Sequence, residues 1–146
     1  MDFQQEKKAC PAVEYSESHY RAWRKVGHGQ RFLNTFRGIY VFWMTTNNLF
    51  RYVTPVAILG VVIFGFYFQI SSFEWVAVVF AIGFVVISEV FNTAIEIDID
   101  LTSPQYHPYA RDTKDVAAGA VLLSIIVSAI VGLIVFLPKI LLYVKI

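Results

Sequence analysis

Residues 116–138 run for twenty-three positions without a charge, and this run limits the fold more than any other stretch of the chain. At a rise of 1.5 Å per residue a helix of that length covers about 35 Å, more than the roughly 30 Å of hydrocarbon in a bilayer. Two further runs behave alike. Residues 52–70 are uncharged over nineteen positions, and residues 75–88 are uncharged over fourteen before a polar stripe begins. With 57% hydrophobic and only 16% charged residues in 146, the chain is far too apolar for a soluble domain of this size. The reading is therefore an all-α integral membrane protein, with three transmembrane helices at about 52–70, 75–97 and 116–138.

The remaining segments arrange themselves around these spans. Residues 1–30 are polar, carry both charge signs and end in Gly27, His28, Gly29, which reads as a mobile tail. His19 and His28 lack a matching partner and read as solvated surface residues. The tail has no apolar core of a signal peptide. Cys10 is the single cysteine, so an intrachain disulfide and a thiolate zinc site are both excluded. Over 31–48, Phe32, Leu33, Phe36, Ile39, Tyr40 and Trp43 recur at helical spacing with Arg31, Asn34, Thr35 and Arg37 between them, the pattern of an amphipathic helix lying flat in the headgroup region. Residues 31–146 thus form one membrane domain.

Pro55 falls in the opening turn of the first span, where a missing N–H is tolerated. The 71–74 connection is so short that the second span must return antiparallel beside the first. Residues 102–113, with Pro104 and Pro108, read as a polar loop closed by Asp112 or Thr113 as the cap of the third span. Ala120, Ser124, Ser128 and Gly132 follow at intervals of four, a stripe of small residues that suits a helix interface better than a substrate channel. Eight lysines and arginines precede the first span and none lies in 71–74. The positive-inside rule then places the amino terminus and the 102–113 loop in the cytoplasm of a multi-pass protein. The net charge of +1 offers no field for nucleic acid, and none is expected as a partner.

Function is concentrated in SEVFNTAIEIDID, residues 88–100. Glu89, Asn92, Glu96 and Asp100 stand three, seven and eleven steps along, which at 100° per residue confines all four to an arc of about 80°, with Asp98 opposite. Ionisable groups in a span are expensive and mark functional sites. Four in register exceed what a polar packing contact between helices requires. Glu89 and Glu96 are about 10 Å apart along the axis and so have different work to do. Glu96 and Asp100, beside Lys114 and Asp115, offer hard oxygen ligands for Mg²⁺ and a cation for phosphate. Glu89, deeper, is placed to take a proton from a hydroxyl presented at membrane depth. Together they imply phosphoryl transfer to a lipid alcohol, although no Gly-rich phosphate loop and no protein-kinase signature is present.

Glu89-Val-Phe-Asn-Thr-Ala-Ile-Glu96, then Asp100, Tyr106-His107-Pro108 and Lys114-Asp115-Val-Ala-Ala-Gly-Ala-Val resemble the prokaryotic diacylglycerol kinase and undecaprenol kinase family, small membrane kinases of three spans and a surface helix. The resemblance is specific over 88–138 and loose over 31–51. It implies homotrimers with sites at protomer boundaries in the bacterial inner (cytoplasmic) membrane, using ATP and Mg²⁺ to phosphorylate undecaprenol or diacylglycerol. It implies Glu89 as general base, with Asn92 beside it in the catalytic set. Glu96 becomes the metal ligand, and Gln105, Tyr106, His107, Lys114 and Asp115 become nucleotide contacts, with Asp100 shaping that site. His-Pro-Tyr-Ala and Phe-Leu-Pro lean toward the undecaprenol branch.

One departure stands out. The family carries a second metal-binding glutamate at the end of the surface helix, whereas no carboxylate occurs between Glu17 and Glu74. Thr46 is its counterpart counted from Gly38, Asn47 counted back from Arg51. Three readings follow: an active lipid kinase; a catalytically impaired relative that binds lipid or nucleotide in a regulatory role; and a small transporter, against which the cytoplasmic Tyr106-His107 and Lys114-Asp115 set argues.

Overall fold

The computed structural model describes residues 28–144; the tail at 1–27, with Cys10 and His19, lies outside them. The described chain is four helices: α1 His28–Thr45, α2 Asn48–Tyr67, α3 Ser72–Thr102 and α4 Pro108–Val144. Among the described residues, those up to Ile39 belong to one compact unit and those from Tyr40 onward to another. In the first unit, α1 begins at His28 rather than Arg31, and Phe32, Leu33, Phe36 and Ile39 are all exposed. The amphipathic stripe read from the sequence is therefore open to its surroundings.

The second unit holds the three helices that are long and apolar enough to span a bilayer, α2, α3 and α4. Most of their large apolar side chains point outward, as lipid contact requires. Local chemistry fixes their ends. Asn47 caps α2, its Oδ1 accepting from the Leu49 N–H at 2.9 Å. Ser71 and Glu74 form a reciprocal capping box at the start of α3. Between them the chain reverses through a Schellman motif: Gln69 takes a positive φ of 48°, its N–H donates to Phe66, and Ile70 N–H donates to Gly65. This compact reversal makes α2 and α3 antiparallel.

Three boundaries differ from the sequence reading. α2 begins at Asn48, so Pro55 lies inside the helix and not in its opening turn; it deletes one ladder hydrogen bond within the span. Only residues 103–107 are non-helical in the polar segment, because Pro108 starts α4, as proline readily does at a first helical position. Asp112 and Thr113 are thus interior, and the Thr113 hydroxyl donates back to Tyr109 instead of capping. Finally, α4 continues through Pro138 to Val144, which brings Lys139 within 3.4 Å of Glu74 and the Tyr143 hydroxyl within 2.8 Å of Tyr67.

α3 and α4 pack closely on each other. Ser124 is fully buried between them, 2.8 Å from Ser88, and Ser128 donates to the Ala81 carbonyl at 2.9 Å. Of the two facing hydroxyls, one donates to the other, which donates to its own helix backbone. Ser124 and Ser128 of the small-residue stripe thus serve as interface, but Ala120 is exposed, and Ala117 and Val121 are buried in its place. α2 stands off from this pair. Near the reversal Gly65 admits the Trp75 ring, which a Cβ there would meet at 2.6 Å. Farther along, the space between α2 and the pair opens into a groove.

Candidate active site

That groove, about 620 Å³, is walled by Val53, Ala57, Val61, Ile82, Val85 and Ile125 and has Glu89 among its few polar lining residues. Ser128 and Gly132 also line it. The stripe assigned to helix packing therefore supplies part of a cavity wall as well. Thr46, just past α1, fixes Glu89 from the other side: its Oγ1 donates to Glu89 Oε1 at 3.1 Å, and both residues are buried. Arg51, one turn into α2, donates from Nη2 to the Met44 carbonyl at 2.6 Å and to the Thr46 carbonyl at 3.2 Å. These bonds close the end of α1 onto the start of α2.

From Glu89 the helix runs thirteen more residues to Thr102, about 20 Å. Exposure rises along it: Glu89 and Asn92 are buried, Glu96 is half-buried and Asp100 is exposed. Asn92 Nδ2 donates to Glu96 Oε1 at 3.1 Å, coupling the middle two members of the stripe. Asn92 Oδ1, Thr93 Oγ1 and Arg51 Nε are buried without a hydrogen-bond partner among the described residues. Buried polar atoms of this kind are costly unless something satisfies them; Asn92 and Thr93 lie within about one turn of Glu89 in sequence, and Arg51 is bonded to the Thr46 carbonyl.

At the far end Asp100 and Lys114 form an ion pair. A second cleft, about 300 Å³, gathers Asp100, Gln105, Tyr106, His107, Lys114 and Asp115, which are all the nucleotide-contact candidates of the sequence reading. The His107 and Tyr109 rings lie 5.6 Å apart, tilted by 30° to one another. The cleft adds Arg111, 3.5 Å from Asp115. The sequence reading passed over Arg111 because it was placed in a loop; as the fourth residue of α4 it shares a helix face with Asp115 and Lys114. One helix, α3, therefore carries a carboxyl in an apolar groove at one point and a polar, cation-bearing cleft about 16 Å farther on, at Asp100, with Asn92 and Glu96 between.

A profile of the prokaryotic diacylglycerol kinase family matches residues 34–136. The chain belongs to that family. It is 40% identical over 108 residues to the undecaprenol kinase of Bacillus subtilis, covering 74% of this chain and 86% of that protein. It is 52% identical over 58 residues to the diacylglycerol kinase of Synechocystis, covering 39% of this chain and 33% of that protein, and 32% identical over 75 residues to the diacylglycerol kinase of Escherichia coli, covering 51% and 62%. The protein is a membrane lipid kinase. Thr46, rather than Asn47, is the connector residue turned to Glu89, while Asn47 caps α2.

Proposed function

We propose that this protein transfers the γ-phosphate of ATP to the hydroxyl of a membrane lipid alcohol, with undecaprenol preferred to diacylglycerol. The observation that carries this reading is the position of Glu89 at the polar spot of an apolar groove, on the same helix that leads to the Asp100–Lys114 cleft. A hydrocarbon tail lies in the groove, and the hydroxyl it carries reaches Glu89. The lipid O–H proton passes to the Glu89 carboxylate as the lipid oxygen bonds to the γ-phosphorus, and the bond to the bridging oxygen breaks with its electron pair leaving on ADP. Lys114, Arg111 and the 105–107 loop hold the nucleotide, and Asn92 holds Glu96. Undecaprenol is preferred because the undecaprenol kinase of Bacillus subtilis is a relative that the chain covers over most of its length.

Among the described residues no three His, Cys, Asp or Glu side chains cluster as a metal site. The donor set nonetheless fits Mg²⁺ carried in by ATP, since this ion commonly takes one or two carboxylates and fills its sphere with phosphate oxygens and water. Glu96 is the residue to hold it, and the ion would supply charge neutralisation on the phosphates. The enzyme sits in the bacterial cytoplasmic membrane as a homotrimer, amino terminus and cleft on the cytoplasmic side.

Transfer of labelled phosphate from Mg-ATP to undecaprenol and to diacylglycerol, by purified protein in mixed micelles, tests the reading. Glu89→Gln keeps the side-chain shape and removes the base, and turnover is expected to fall by roughly 10² to 10⁴ with the ATP KM little changed. Full turnover in a folded Glu89→Gln protein overturns the assignment. A second reading, a regulatory relative that binds without catalysing, is favoured by the lack of a carboxylate at Thr46 or Asn47, where the family resemblance places one. Absence of transfer to either lipid by the parent chain selects it.

A further inference from the structure

Thr35, Thr45, Thr102 and Thr113 all spend their hydroxyl proton on the carbonyl four residues earlier in their own helix, the ordinary local bond of a helical threonine. Thr46 does not. Its backbone N–H continues the helical pattern to Phe42 at 2.8 Å, but its hydroxyl reaches across forty-three residues of sequence to Glu89 Oε1. Only 3% of Thr46 is exposed, so water does not compete for that proton. Its carbonyl is held in turn by Arg51, which fixes the backbone from which the hydroxyl is presented.

We infer that Thr46 is a positioning residue: its hydroxyl, anchored through Arg51, holds Glu89 by Oε1 and leaves Oε2 as the oxygen that receives the lipid proton. A glutamate side chain has three rotatable bonds, and reaction requires it within hydrogen-bond reach of the acceptor hydroxyl. One oxygen tied to a buried donor removes much of that freedom before the lipid arrives. Thr46 touches neither reactant and acts through Glu89 alone, so this role rests on Glu89 being the base.

The discriminating experiment compares Thr46→Val, which keeps the shape and loses the hydroxyl, with Thr46→Ser, which keeps the hydroxyl and loses the methyl. Thr46→Ala is the check on packing, and Glu89→Gln is run alone and combined with Thr46→Val. Full-length protein is assayed with undecaprenol and Mg-ATP. Val and Ala are expected to lower kcat by roughly ten- to a hundredfold, the range for losing a hydrogen bond to a carboxyl group, while Ser recovers most of the rate and the ATP KM stays within about twofold in all three. In the Glu89→Gln background, Thr46→Val should change residual turnover by less than about twofold, because the residue it serves is gone. A Val variant at the parent rate, or Ser falling as far as Val, overturns the inference while leaving Glu89 as the base. A drop expressed in the ATP KM also overturns it. Undiminished turnover in Glu89→Gln alone removes both assignments.

Discussion

Arg51 pins two carbonyls at the end of α1, and the two residues that follow α1 consequently do different work. Thr46 turns inward to Glu89, whereas Asn47 is exposed and caps α2. The difference makes the metal question testable. A carboxylate at 46 adds an anionic ligand beside the Glu89–Glu96 stripe, so Thr46→Glu should lower the Mg²⁺ concentration for half-maximal rate several-fold. Asn47→Glu should leave that concentration unchanged and cost about 1 kcal/mol of stability through the lost cap. Rate against Mg²⁺ and a thermal melt separate the two, and a shifted Mg²⁺ dependence in Asn47→Glu alone would mean the connector is placed differently. The stripe itself was legible in the sequence because helical periodicity alone puts Glu89, Asn92, Glu96 and Asp100 on one face. Thr46 was not assignable, because counting from either side gives a different register and only the fold brings residue 46 to residue 89.

Helix ends were harder to read than helix cores, and each error has a local cause. Uncharged runs mark where hydrocarbon is crossed, but they say nothing about polar turns that extend a helix beyond it, and Asp98 to Thr102 and Pro108 to Thr113 extend α3 and α4 in this way. Pro138 was taken as an end, although a proline in a lipid-facing helix is tolerated at the loss of one bond. The reversal after α2 offers a prediction at this scale. Among the described residues Gln69 is the non-glycine residue with positive φ, at the position of a Schellman motif that glycine usually fills, and the left-handed conformation costs an ordinary residue roughly 1–2 kcal/mol. Gln69→Gly should therefore stabilise the protein by about 1 kcal/mol in a detergent melt. Gly65→Ala, four residues earlier, should destabilise it by roughly 1–3 kcal/mol, since its Cβ would overlap Trp75 and shift the ring. The opposite ordering of these two variants would mean that the turn, not the ring contact, limits how α2 meets α3.

For the molecule as a whole, the placement of charge relative to the spans decides which compartment the cleft opens to. Arg51, Arg111 and Lys114 lie at the end of the bundle where α2 and α4 begin. The opposite end, at the 68–71 reversal, holds Lys139, which is paired with Glu74. The excess of cations thus remains at the cleft end even after the extended α4 adds a lysine to the other, and cations near span ends favour the cytoplasmic side. The cleft proposed for the nucleotide must also open to the compartment that contains ATP. Ser72 and Gln105, both exposed, bracket α3, whose 31 residues extend about 46 Å and separate the two positions by more than a bilayer's hydrocarbon. Single cysteines at these positions in a Cys10→Ala background should be modified by a membrane-impermeant maleimide from opposite sides: Ser72→Cys in intact cells, Gln105→Cys only after the membrane is opened. Mg-ATP should slow modification of Gln105→Cys and leave Ser72→Cys unaffected, because only the former lies in the cleft. Reaction of both from one side would return α3 to the membrane surface and remove the apolar groove from hydrocarbon, and a lipid tail would then have no route to Glu89.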